Sequence, residues 1–176
     1  MKDKKMLTIA IIVGVLAVVG GQTISAQDKY SVKVPGGLAF SEFRGYESWQ
    51  AISISRNEKV VAVILGNPAM IDAYRAGIPR NGKPVPDGAK MAKIHWKPKQ
   101  NEFFPDATVP GSLLNVDFMV KDSKRFADSG GWGYAVFNHD VATHTMVADP
   151  ATANCGHVCH VAVKSKDYIF HPYQIR

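Results

Sequence analysis

The chain has 176 residues, 20% of them charged, a formal net charge of +6 and only two cysteines. Beyond residue 26 the charge is scattered, with "KIHWKPKQ" as the one basic cluster, whereas nucleic-acid binding calls for a longer basic stripe interleaved with aromatics. No internal repeat, heptad pattern or low-complexity tract breaks the chain, so a solenoid or coiled coil is excluded as well.

The first segment reads "MKDKKMLTIAIIVGVLAVVGGQTISAQDKY". Lys2, Lys4 and Lys5 precede an apolar run from Leu7 to Val19, and Gly20, Gly21, Ser25 and Ala26 follow. A basic head, a short apolar stretch and a small-residue exit describe a secretory signal peptide over residues 1–26, cleaved after Ala26. An uncleaved anchor would need roughly 20 apolar residues, more than the run supplies. With no cysteine near the cut, a lipid anchor is excluded. Cleavage removes three lysines and one aspartate, taking the formal charge from +6 to +4 and leaving no membrane attachment. About 150 residues remain at 27–176, enough for one domain with a core of ordinary size.

Along the mature chain, "SEFRGYESWQAISISRN" suggests a short amphipathic helix around Tyr46 to Trp49. "EKVVAVILGN" is a β-branched run bounded by turn residues and predicts a buried strand. "NPAMIDAYRAG" predicts a short helix with Asn67 as N-cap, Pro68 in the first turn and Gly77 as stop. "IPRNGKPVPDG" is loop. "AKMAKIHW", "SLLNVDFMVKD" and "GWGYAVFNH" follow as three strand-like segments, and a helical turn begins near Ala153. The expected class is α+β, mainly an antiparallel sheet with a few short helices in a single domain.

Two of these strands have informative faces. Leu114, Val116, Phe118 and Val120 line one side of their strand, and Asn115, Asp117 and Met119 the other. Ala92, Ile94 and Trp96 alternate in the same way with Met91, Lys93 and His95. The apolar sides belong to the core, and the mixed sides suit either ordinary surface or the wall of a partly apolar pocket.

Both cysteines lie in "ANCGHVCHVAVKSKDYIFHPY". Covalent haem attachment uses two thiols and a histidine directly after the second, ordinarily with two residues between the cysteines. Here three intervene, in Cys155-Gly156-His157-Val158-Cys159-His160, while the histidine keeps its place. An exported pair of cysteines equally suits a Cys155–Cys159 disulfide, although residues four apart on a helical turn aim their Cβ atoms awkwardly. A zinc or copper site on Cys155, His157, Cys159 and His160 has the right ligand chemistry, but so short a segment strains tetrahedral closure.

The segments "GNPAMIDAYRAG", "PDGAKMAKIHW", "NVDFMVKDSKRFADSGGWGYAVF" and "NCGHVCHVAVKSKDYIFHPY" together resemble the cytochrome P-460 family, which includes the β-sheet form of cytochrome c-prime. The resemblance spans nearly the whole mature chain. It implies a periplasmic, mostly β, usually homodimeric protein carrying one covalent haem c with its iron. It also implies either oxidation of hydroxylamine or, as in the c-prime branch, binding of nitric oxide, with a periplasmic electron-transfer partner. By the same resemblance Cys155 and Cys159 match the thioether cysteines and His160 the proximal iron ligand. Lys93 matches a lysine bonded to the porphyrin rim, and Asp117 falls where hydroxylamine-oxidising members hold a proton-handling glutamate. An aspartate sets its carboxylate about 1–1.5 Å further back, which matters to a positioned proton relay.

Overall fold

The computed structural model describes residues 27–35 and 37–174. The signal peptide expected at 1–26 falls outside the described residues. Six antiparallel strands form one sheet in sequence order: β1 Gln50–Arg56, β2 Val61–Gly66, β3 Lys90–Gln100, β4 Thr108–Lys121, β5 Trp132–Asp140 and β6 Thr145–Ala148. Helix α1, Pro68–Arg75, joins β2 to β3, and α2, Thr152–His160, follows β6. Among the described residues no helix is long and apolar enough to cross a membrane.

Side chains alternate across a strand, so a two-sided sheet needs two covers. On one face Val116, Phe118 and Val120 of β4 join Ala92 of β3, Ala135 and Phe137 of β5 and Leu65 of β2. The cover is the N-terminal segment, whose short 3-10 turn Phe40–Phe43 lays Phe43 flat on Phe118 at 4.1 Å and Phe40 edge-on to Phe137 at 4.9 Å. The opposite face presents Ile52, Ile64, Met91, Met119 and Tyr134 to Met70 and Ile71 of α1 and to Tyr168 and Ile169 of the C-terminal segment.

Local chemistry sets several of these elements. Asn67 caps α1 by accepting from the Met70 N–H at 3.0 Å. The same oxygen accepts from the Lys90 N–H at 2.9 Å, so one side chain starts both α1 and β3. The helix predicted after Asn67 and the four predicted strands are present as α1 and β2 to β5, β3 and β4 being longer than the motifs suggest.

Three details differ from the sequence expectations. Tyr46–Ser48 is a single 3-10 turn, and the residues after Trp49 form β1 instead of extending a helix. The alternation in "AISISR" is that of a strand, and β2 supplies its pairing partner. The short β6 has no counterpart in the sequence reading. The register also shifts between β3 and β4: His95 pairs with Asn115, but Trp96 pairs with Leu113. Leu114 is thus the extra residue of a bulge, and Leu113 takes its expected place against the core.

Candidate functional site

Between the second sheet face and α2 lies an open cleft with a cavity volume of about 160 Å³. Its floor is Ile64, Met91, Lys93, Asp117, Met119, Tyr134 and Val136. Thr152, Gly156 and His160 of α2 and Ile169, Phe170 and His171 of the C-terminal segment close the other side. Lys93, Asp117 and His160, separated by up to 67 positions in the chain, therefore share one site.

Strand register makes the floor. Lys93 pairs with Ile64 on one side and Asp117 on the other, and Asp117 pairs in turn with Val136. Met91, Met119 and Tyr134 form the neighbouring row. Burial pushes the Asp117 carboxyl up to about 6, with the Lys93 charge and the Asn115 amide pulling it back. Asn115, two residues earlier on the same strand face, donates its Nδ2–H to Asp117 Oδ1. Burial, helped by Lys93, takes His95 down to about 4. The 3.6 Å approach of His95 Nδ1 to Asp117 Oδ2 is therefore made by a neutral ring at neutral pH and is not an ion pair.

Helix α2 carries the segment on which the sequence left three readings open. Successive residues turn about 100° round a helix, so Thr152, Cys155, Gly156, Cys159 and His160 fall within an arc of roughly 140°. The three-residue spacing puts the two thiols one turn apart on the same side. Both thiols are exposed and not bonded to one another in this structure. Nor, among the described residues, does any group of three or more His, Cys, Asp and Glu side chains converge as a zinc or copper site requires. Gly156 allows α2 to sit on β5: a Cβ there would lie 2.7 Å from Cβ and Cγ of Tyr134.

His160 is held in one orientation. Its Nδ1 lies 2.6 Å from the Tyr168 carbonyl oxygen, which makes Nδ1 the protonated donor and leaves Nε2 with the lone pair. Tyr134 and Phe170 flank its ring at 5.2 and 4.9 Å. Burial lowers its pKa, which favours the neutral ligand form. His157 packs half-buried against the Tyr168 ring at 5.6 Å.

The structure adds residues that sequence reasoning missed. His171 lines the cleft, its carbonyl accepting from the Tyr74 hydroxyl at 2.7 Å. Tyr134 Oη and Thr152 Oγ1 are buried without a hydrogen-bond partner. Buried polar atoms are nearly always bonded, so two orphan hydroxyls in residues lining one cleft point to a polar group on a ligand. No local motif marks His171, Tyr134 or Thr152, whereas Asn115 was readable as a face-mate of Asp117.

The cleft thus combines apolar walls, residues with orphan hydroxyls and an imidazole whose second nitrogen is committed, and two exposed thiols lie on the same stripe of α2. Such a donor set fits haem, and it is the equipment of a cytochrome. A family model for Cytochrome P460 matches residues 43–171, and the chain belongs to that family. It is accordingly a mono-haem cytochrome. No curated protein matches the chain.

Proposed function

We propose that the chain is an exported, periplasmic c-type cytochrome that oxidises hydroxylamine at an open iron position in this cleft. Cys155 and Cys159 would hold the haem through thioether bonds, and His160 Nε2 would ligate its iron. The haem, when bound, supplies a metal site for the substrate nitrogen and a path for its electrons. The observation that carries the reading is that Asp117, held up to about 6, lines the same cleft as the oriented His160.

The protein's own groups divide the remaining work. Asp117 accepts the protons that leave as substrate electrons depart, since a carboxyl with a pKa near ambient pH is suited to giving and taking them. Asn115 fixes the direction of the carboxylate through its amide. Left free, Lys93 sustains the carboxylate form by its charge; bonded to the porphyrin rim, as the resemblance implies, it would give up that charge. Ile64, Met119, Ile169 and Phe170 exclude water from the reacting centre.

A second reading is favoured by the thioethers of Met91 and Met119, which line the same cleft. If either closes the sixth position, the protein becomes an electron carrier; if neither does and Asp117 stands too far back, it binds nitric oxide. Dye-coupled hydroxylamine oxidation by haem-loaded protein tests the first reading, and its absence overturns it. A change in the ferrous visible spectrum with carbon monoxide or nitric oxide then identifies the gas-binding form.

A further inference from the structure

We propose that Lys121 and Asp167 are positioning residues for His160, their buried ion pair fixing the carbonyl that orients the imidazole. The proposal rests on His160 being the iron ligand. It also assigns a task to the two motifs, "VKDSKRF" and "KDYIF", of which the cleft uses neither Lys121 nor Asp167.

Lys121 closes β4, and its ammonium reaches Asp167 Oδ1 at 2.8 Å and Oδ2 at 3.0 Å. The pair is 6% and 14% exposed. Every neighbour of the pair is spoken for. Lys121 Nζ also donates to the Gly130 carbonyl at 2.9 Å and lies 5.1 Å from the centroid of the Trp132 ring. Asp167 Oδ2 accepts from the Val85 N–H at 2.7 Å, and Oδ1 from Trp132 Nε1 at 3.4 Å. The carboxylate is thereby tied to the loop before β3, to the end of β4 and to the start of β5.

What this anchor holds is an uncommon stretch of backbone. Asp167 and Tyr168 are consecutive non-glycine residues with φ of 47° and 63°, a left-handed conformation that a chain adopts when its surroundings impose it. The turn directs the Tyr168 carbonyl at His160 Nδ1. The Tyr168 ring lies flush on Gly130, where a Cβ would come within 2.2 Å of Cε2, so the close packing of this turn on the β4–β5 loop depends on glycine there. A buried ion pair gives little net stability over apolar packing of the same volume, and its contribution here is direction. A hydrogen bond on the second nitrogen of a ligating histidine fixes the tautomer, makes the ligating nitrogen more basic and tunes the metal.

The test compares haem-loaded wild type with Asp167→Asn and Lys121→Met by the ferrous iron–histidine stretching band and the midpoint potential. Both variants are expected to move the band to lower frequency and the potential upward, and Lys121→Arg to return both toward wild type. Lys121→Gln, which keeps a donor toward Gly130, is read by the same criteria if Asp167→Asn does not accumulate. Variants that bind haem with wild-type band and potential, whatever their thermal stability, overturn the positioning role. Haem-loaded wild type lacking an iron–histidine band that depends on His160 overturns the ligand assignment, and the inference falls with it.

Discussion

Lys93 and Asp117 face one another across the β3–β4 register on the floor of the cleft, and the cation does not offset what burial does to the carboxylate. Asp117 stays raised to about 6 from an ordinary 3.8, although its side chain is still 36% exposed. A carboxyl whose folded pKa is raised binds more protons in the folded than in the unfolded chain between those two values. Its contribution therefore weakens the fold as pH rises through that window, and the cost is complete above about pH 6. Discounted for solvent screening, Asp117→Asn should stabilise the protein by about 1 kcal/mol at pH 7. The gain should vanish below about pH 4, as followed by urea unfolding at the two pH values.

The same residue gives the activity its acid limb. If Asp117 accepts protons from hydroxylamine, turnover should rise with pH through about 6 and level off above it. Asp117→Asn should lower the plateau about 100-fold while leaving the carbon monoxide-induced spectral change in place. Asp117→Glu, which extends the carboxylate by one methylene, should keep or raise the rate. A pH–rate profile of the three proteins decides it.

Lys93 is the electrostatic lever on this limb. Its charge lowers Asp117, His95 and His171 together. Replacing it with methionine should let all three rise, moving the acid limb of hydroxylamine oxidation to higher pH. An unmoved limb would mean that Lys93 faces solvent, as strand lysines ordinarily do.

Gly156 tests how closely α2 must sit on the sheet. In a free helix, alanine in place of glycine gains up to about 1 kcal/mol. Here the new Cβ meets Tyr134 at 2.7 Å, so either the ring or α2 must move. Gly156→Ala should destabilise by about 1–3 kcal/mol and reduce haem incorporation. Thermal unfolding and the haem-to-protein absorbance ratio report the two effects separately.

The sequence was legible where a residue's role is set by its near neighbours. Asn67, Pro68 and Gly77 bound α1 because capping is local chemistry. Alternation put Lys93 and Asp117 on the mixed faces of their strands, and the sheet pairs those faces into one floor. Periodicity could not see the bulge at Leu114, because one extra residue flips the face of everything before it. Nor could it see that Tyr168 carries the acceptor for His160, since a backbone carbonyl has no residue-type signature. The spacing of Cys155 and Cys159, ambiguous as a string, became readable once both lay on a single helix.

The intact mass of protein exported by a host that matures c-type haem, read beside its visible spectrum, bears most directly on the central claim. Covalent attachment through Cys155 and Cys159 requires the mature chain plus one haem, a Soret band that survives denaturation, and loss of both in the Cys155→Ala, Cys159→Ala double variant. A colourless product two hydrogens lighter than the reduced chain would contradict it.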